Sequence, residues 1–400
     1  MENTRIKNRD IIMFGLQPWD IEMGSNFKDM AAEIAKHNRV LYVNRPLDRA
    51  SYFKHRKDIK IKARILSLKK GEGVLQSVRE NIWVLNPPIL NESINWMPPG
   101  FIYNYFNKKN NYKLAQQVKH AVSQLGFTKT VLIIDNDFLN ALYLQEYLRA
   151  DIMLYYIRDY LLSQPYFKRH GNVAEPSLMA KANVVITNSL YLCNYAKKFN
   201  QNSFYIGQGC DVENFIKNDN PVPQEIANIK GPVIGYCGNL TASRLDIRLL
   251  ETIARERPQW NFVLVGLEDA EFQNAGLHKM SNVYFTGSKP ANELPAFVQH
   301  FDVCLNPQQI NQMTIGNYPR KIDEYLAAGK PVVATSTETM QEFKNFTYLC
   351  NNAAEYVLAI EKALEEMGDK NLAQSRVTFA LSHTWQASVQ QLYNTIGTLK

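Results

Sequence analysis

The sequence predicts an α/β protein of two Rossmann-like units, and three observations carry that expectation. Short apolar runs such as Ile11-Ile-Met-Phe14, Val131-Leu-Ile-Ile134 and Val184-Val-Ile-Thr187 recur between stretches of helical period, the pattern of parallel strands covered on both faces. The alternation stops in the turn-rich Asn218-Asp-Asn-Pro-Val-Pro223 and begins afresh at Pro232. A length of 400 residues also exceeds one ordinary core, for which about 150 residues is a working prior.

Each element follows from local pattern. In the first unit the apolar runs at 11–14 and 40–43 read as strands, with a helix at 26–37 between them. After a basic insertion come a strand at 82–85, a helix at 112–125, a strand at 131–134, a helix at 139–149 and a strand at 153–156. A helix at 176–181, a strand at 184–187, a helix at 190–199 and a strand at 204–206 complete that unit. In the second unit, residues 318–335 read as a polar loop, a helix and a buried strand: Pro319 suits a first helical turn, Gly329 a helix stop, and Pro331 the exit into Val332-Val-Ala334. Residues 385–399 have the period of an amphipathic helix.

Composition narrows the class. With 46% hydrophobic and 21% charged residues the chain is globular. Cys193, Cys210, Cys237, Cys304 and Cys350 are widely spaced without a Cys-x-x-Cys pair, so they read as reduced, buried thiols. No apolar leader and no run of about 18 apolar residues is present, which points to a cytoplasmic or peripheral protein. The charge is uneven: residues 1–200 carry 29 Lys and Arg against 17 Asp and Glu, whereas the remainder carries 16 against 21. Much of the excess lies in Lys54, Arg56, Lys57, Lys60 and Lys62. That run reads either as a solvated surface or as an attraction to anionic membrane lipid. No nucleic-acid-binding motif accompanies it.

The stretch Tyr318-Pro-Arg-Lys-Ile-Asp-Glu-Tyr-Leu-Ala-Ala-Gly-Lys-Pro-Val-Val-Ala-Thr335 delivers charged side chains to the rim of a parallel sheet, where ligands of open α/β sheets bind. It resembles the donor-site segment of retaining GT-B glycosyltransferases of the group-1, family 4 kind, including those of cell-surface polysaccharide and teichuronic-acid type. Pro232-Val-Ile-Gly-Tyr-Cys-Gly238 is similar to that family's first strand and glycine loop, and Arg244-Leu-Asp246 leads the helix after it. Residues 260–266, 283–287 and 301–307 are similar to the later strands, in the family's order and spacing. The resemblance implies two Rossmann-like domains facing each other across a cleft. The first would span 1–207, rejoined by a Trp-bearing helix at 383–400; the second would span 208–382. It further implies a hexosyltransferase that moves sugar from a UDP- or GDP-linked donor to a glycan or polyprenyl-linked acceptor, on the inner face of the cell membrane, with retention and without cofactor or metal.

The resemblance also assigns residues. Glu324 matches the ribose-binding glutamate, since one carboxylate accepts from two vicinal hydroxyls; alone, it would read as a solvated helix residue. The family's second glutamate is absent, because position 316 is glycine. Gly316 and Asn317 instead suit close backbone approach to the donor. Lys321 and Arg244 are expected at the diphosphate or donor sugar, a salt bridge from Arg244 to Asp246 being the competing reading. Gly238, Asn239, Gly287 and Tyr318 complete the donor set. Gly24, before a helix, resembles the family's N-terminal glycine loop and equally suits an ordinary cap. Asp159, after the 153–156 strand, is the first choice for a carboxylate at acceptor or sugar, with His170 second; either also suits a cap or turn. Asp159, Arg244 and Lys321 form the expected catalytic set. A non-catalytic glycan-binding protein is the alternative. A nicotinamide-dependent oxidoreductase is disfavoured because no strand is followed by Gly-x-Gly-x-x-Gly.

Overall fold

The computed structural model describes residues 6–20, 26–55, 58, 61–217 and 219–397. The chain divides into two compact units, Met1–Gly207 with Ser388–Lys400, and Gln208–Ala387. Both are parallel-sheet α/β structures, as the alternating pattern requires.

The first unit contains β1 (Asp10–Gly15), β2 (Arg39–Val43), β3 (Leu47–Asp48), β4 (Leu75–Arg79), β5 (Ile82–Leu85), β6 (Leu90–Asn91), β7 (Thr130–Asp135), β8 (Ile152–Ile157), β9 (Val184–Thr187) and β10 (Ser203–Tyr205). Eight of them form one sheet in the order β10-β9-β8-β7-β1-β2-β5-β4, while β3 and β6 pair separately. The register sets Gly15 opposite Asp135 and Asp135 opposite Tyr156, so the carboxyl ends of β1, β7 and β8 finish level. Beside Gly15 a Cβ atom would stand 2.7 Å from the Asp135 Cβ, so only glycine lets that acid pack against β1.

Several elements depart from the sequence expectation. β4 is an antiparallel edge strand on β5. Its sequence, Leu-Gln-Ser-Val-Arg, leaves both faces partly open and supplies no apolar run. The helix expected at 112–125 runs Phe101–Gln124, because its polar first half buries asparagines that clasp neighbouring loops. Asn110 accepts from the Glu92 N–H at 3.0 Å and donates to the Glu92 carbonyl at 2.9 Å; Asn111 accepts from Tyr143 at 3.2 Å. The helix expected at 139–149 is two short ones, Phe138–Ala141 and Leu144–Leu148, the second ended by the left-handed Arg149. The helix expected at 176–181 begins at Pro165, where proline lacks only an N–H that a first turn leaves unpaired, and Pro176 lies inside it.

The second unit contains β11 (Val233–Cys237), β12 (Asn261–Val265), β13 (Val283–Gly287), β14 (Val303–Asn306), β15 (Val332–Thr335) and β16 (Tyr348–Cys350). Their order is β13-β12-β11-β14-β15-β16 and every pairing is parallel. Alternate residues of each strand feed two cores, one per face: Val233 and Cys237 of β11 join one, Ile234 and Tyr236 the other. Gly235 lies flat beneath Phe301, whose ring would be 2.1 Å from any Cβ there.

The terminal helix Trp385–Gly397 begins in the second unit and returns to the first at Ser388, later than the expected 383. His383 and Trp385 are held back by contacts within the second unit. The Cys210 N–H donates to the His383 carbonyl at 2.9 Å, and the Trp385 indole lies so close over Gly209 that a Cβ there would meet it at 2.2 Å. In the first unit, Asn38 donates to the Tyr393 hydroxyl at 2.9 Å.

Candidate functional site

At the carboxyl rim of the second sheet, three neighbouring strands end on glycine. The Gly238 N–H donates to the Val265 carbonyl at 2.9 Å and the Gly266 N–H to the Gly287 carbonyl at 3.0 Å. A Cβ on Gly266 would stand 1.9 Å from the Gly238 oxygen, so the two loops approach as only bare backbone can. Lys321 reaches over this floor. Its ammonium donates to the Tyr236 hydroxyl, lies 4.0 Å from that ring's centroid, and would be 2.9 Å from a Cβ on Gly238. Tyr236 itself is a core residue of β11, so a rigid aromatic stem positions the cation.

One turn along the same Lys321–Ala327 helix stands Glu324, half-buried. Burial pushes its carboxyl above the usual range, and the Arg320 and Lys321 cations act in the opposite direction. Among the described residues no hydrogen bond or ion pair reaches that carboxylate. Nearby in the loop before the helix, the buried Asn317 Oδ1 accepts from no described residue, and its N–H donates to the Thr314 carbonyl at 3.1 Å. Two acceptors on one segment therefore await donors, which suits a ligand bearing hydroxyls.

Arg244 is exposed on the turn beyond the glycine loop. The competing salt bridge to Asp246 does not form, because the Asp246 carboxylate caps the Ile247–Glu256 helix by accepting from the Leu249 N–H at 3.0 Å. The Arg244 turn is stitched to the 307–320 loop: its carbonyl accepts from Gln309 at 2.8 Å, and Asn311 donates to the Ser243 carbonyl at 2.8 Å. Asn239 and Gly287 are exposed at the same rim, Gly287 with a left-handed φ of 72°.

Tyr318 is a correction. Its ring is buried 5.4 Å from Phe343, and its hydroxyl lies 3.2 Å from His383 Nδ1, so the side chain is occupied in the core. That contact belongs to a cluster that sequence reasoning missed. His383 Nδ1–H donates to Asp323 Oδ1 at 2.6 Å, and the Cys210 thiol donates to Asp323 Oδ2 at 3.2 Å. Asp323 is buried on the inner face of the helix that presents Lys321 and Glu324, so the helix is pinned from beneath. The Asp-Glu pair in the motif was the available signal, since adjacent helix positions point about 100° apart.

Burial alone would lower the His383 pKa, but the hydrogen bond and charge of Asp323 outweigh it and hold it above its usual value. A raised folded pKa favours folding fully below the unfolded value of about 6.5, and that contribution is lost as pH climbs through the folded value. His383→Gln should therefore flatten the fall in Tm between mildly acidic and alkaline pH. Parallel Tm–pH curves for variant and wild type would show that the pair contributes nothing to stability.

In the first unit Asp159 follows β8, half-buried, and accepts from Arg158 Nη1 at 3.0 Å. Arg158 was not anticipated: it is largely buried and its Nε donates to Asp135 Oδ1 at 2.7 Å. The left-handed Asn136 locks the turn, accepting from the Arg158 N–H at 2.6 Å and donating to the Asp159 carbonyl at 2.9 Å. His170 is a second correction. It is buried, stacked on Tyr103 with centroids 3.7 Å apart, with Nε2 3.2 Å from the Asn95 carbonyl; burial lowers its pKa, and the ring is part of the core. Of the basic run, Lys54 and Lys62 are exposed on separate helices, while Arg56, Lys57 and Lys60, like Gly24, lie outside the described residues. Among the described residues no helix is long and apolar enough to cross a membrane. All five cysteines are buried and unpaired.

Residues 231–366 match the family model described as glycosyl transferases group 1. Over 204 residues, 49% of the chain, the sequence is 28% identical to TuaH of Bacillus subtilis (strain 168), a protein named for teichuronic acid biosynthesis as a glycosyltransferase. The chain spans about half the length of that curated relative, 51%. Among solved structures, Anabaena HepE in complex with UDP is similar with a TM-score of 0.66 at 16% identity, over 98% of this chain and 100% of that one. HepE with UDP-glucose gives 0.63 at 16%, over 97% and 100%. Sucrose-phosphate synthase from Thermosynechococcus elongatus gives 0.66 at 15%, over 97% and 99%. The α/β fold is of the GT-B kind.

Proposed function

We propose that this protein is a retaining glycosyltransferase that moves a hexosyl unit from a UDP- or GDP-linked donor to a glycan or polyprenyl-linked acceptor in cell-surface polysaccharide synthesis. One observation carries the reading: the second sheet's rim holds a lysine ammonium over a side-chain-free glycine floor, with a half-buried carboxylate, unpartnered among the described residues, one helical turn away. That is the complement of a diphosphate beside a ribose. The group-1 match over this unit and the UDP and UDP-glucose held by HepE support a nucleotide sugar as ligand.

In this reading Glu324 accepts from the ribose hydroxyls. Lys321 and Arg244 neutralise the diphosphate, and Gly238, Asn239, Gly287 and Asn317 shape its bed. Departure of the diphosphate is the step that builds charge, and fixed cations in a preorganised site stabilise it without reorganising. As the anomeric C–O bond breaks, its electron pair leaves with the diphosphate; the acceptor hydroxyl attacks from that same face and passes its proton to the departing phosphate oxygen, which retains configuration, and orientation by the protein replaces an enzymic nucleophile. Asp159, at the rim of the first sheet, is the carboxylate assigned to the acceptor.

The test is release of nucleoside diphosphate from a panel of sugar nucleotides, with NMR of the product's anomeric configuration. An inverted anomer would remove the retaining mechanism, and no release and no binding from any donor would remove the function. Glu324→Ala should weaken binding of UDP or GDP by about 1.5–3 kcal/mol, the range for a hydrogen bond to a charged group, with Tm retained. Unchanged affinity by calorimetry would take the ribose role from Glu324.

A further inference from the structure

We infer that an aromatic face of the first unit is a docking surface for an anionic lipid bilayer. It is formed by the Arg49–His55 helix, the loop at 93–100 and the start of the Phe101–Gln124 helix. Five large apolar side chains stand out there: Phe101 is 85% exposed, Trp96 69%, Phe53 65%, Ile102 64% and Tyr105 56%. Tyr105 meets the Phe106 ring edge-on with centroids 5.3 Å apart. Phe53, Trp96 and Phe106 line one cavity of about 400 Å³, and Ile102 precedes Phe106 by one helical turn. Such a cluster is costly in water and marks an interaction site when it is held open by structure.

It is held open. Trp96 needs no water for its indole N–H, which donates to the Ser93 carbonyl at 2.7 Å, so its ring stands outward with its one polar atom already paired. Arg169 donates to the Trp96 carbonyl at 2.8 Å, and the Ser93 hydroxyl accepts from the Ala50 N–H at 2.8 Å while donating to Asp48 at 2.6 Å. These bonds tie the loop to the helices on either side.

Charge selects the occupant. The Arg49–His55, Lys62–Lys70 and Phe101–Gln124 helices contain ten Lys and Arg and no Asp or Glu. The one carboxylate lining the cavity, Glu92, is paired with Arg49 at 2.7 Å. Lys54 and Lys109 are exposed around it. Exposed aromatic rings that bury in the headgroup region, rimmed by lysines drawn to an anionic surface, match a bilayer. A second copy of this chain would bring equally basic faces together, which electrostatics opposes. The inference extends the functional reading, whose lipid-linked acceptor would lie in that bilayer, but it rests on geometry and charge of its own.

The test uses the full chain with vesicles of phosphatidylcholine, alone or mixed with phosphatidylglycerol. Wild type should sediment with the anionic vesicles only, and less as salt rises. Trp96→Ser/Phe101→Ser/Ile102→Ser should lower the bound fraction about tenfold or more, as removal of three interfacial anchors requires, with Tm and UDP affinity unchanged. Lys54→Gln/Lys109→Gln should lessen the salt dependence. Undiminished vesicle binding by the aromatic variant, or indifference of wild type to anionic lipid, would overturn the inference. A wild-type dimer that the aromatic variant abolishes in sedimentation velocity would assign the face to self-association instead. Calorimetry with UDP reads the donor site separately, so failure here leaves the functional reading standing or falling by its own result.

Discussion

Lys321→Ala should lower turnover about 100- to 1000-fold, the usual effect of removing one preorganised group that stabilises developing charge. Donor affinity should change much less, because the diphosphate becomes more negative as the glycosidic bond breaks and the lysine is matched to that later charge. The geometry favours a large effect. The ammonium is held against Tyr236 and above Gly238, so it enters the reaction already placed. Tyr236→Phe keeps the ring and removes the hydroxyl anchor, and it should lose a smaller part of kcat. Steady-state kinetics beside calorimetry with the unreactive nucleotide would decide: an equal loss of ground-state binding with kcat intact would make Lys321 a docking contact only. Arg244, exposed and unpaired among the described residues, should show the same pattern at lower amplitude, since solvent screens it.

Arg158→Ala should cost the first unit about 3–5 kcal/mol, the range for breaking a buried ion pair from one side. Its guanidinium links the fully buried Asp135 to Asp159. Burial already raises the Asp135 pKa against the opposing pull of Arg158, so loss of the cation leaves an acid that must either protonate or open the rim to water. Removing both charges with Arg158→Met/Asp135→Asn should recover most of the loss, because no uncompensated charge remains. Hydrogen exchange along β7 and β8 would report the change within that unit, and unaltered protection in Arg158→Ala would show that the pair is not structural. The double variant also separates fold from function at Asp159, which would be freed from its ion pair without being altered itself.

Legibility differed with the range of the interaction. The glycine floor was readable because a strand's period and the glycine that ends it lie within a few residues: Val233–Cys237 leads straight into Gly238, and Val283–Gly287 ends on its own glycine. Lys321 and Glu324 were readable as neighbours because three residues along a helix bring side chains to one face. The polar beginning of Phe101–Gln124 was not readable as helix, since Asn110 and Asn111 earn their burial from partners at Glu92 and Tyr143 that no local window contains. β4 was missed for the same reason: it is a strand only because β5 offers it an edge.

By itself, then, the sequence determined the alternation of strand and helix, the restart that separates two sheets, and the charged segment placed at the rim of the second. Those features depend on periodicity and on glycine and proline stereochemistry, which act over a few residues. The tertiary structure alone decided what each rim residue faces. It turned Tyr318 inward onto His383, joined Asp323 to Cys210 and His383 across 113 and 60 positions, stacked His170 into the core and paired Arg158 with Asp135. It also gathered Phe53, Trp96 and Phe106 around one cavity. Side-chain direction at such places is set by which distant surfaces pack together and which buried polar atoms must be satisfied, and neither is encoded in any short stretch of chain.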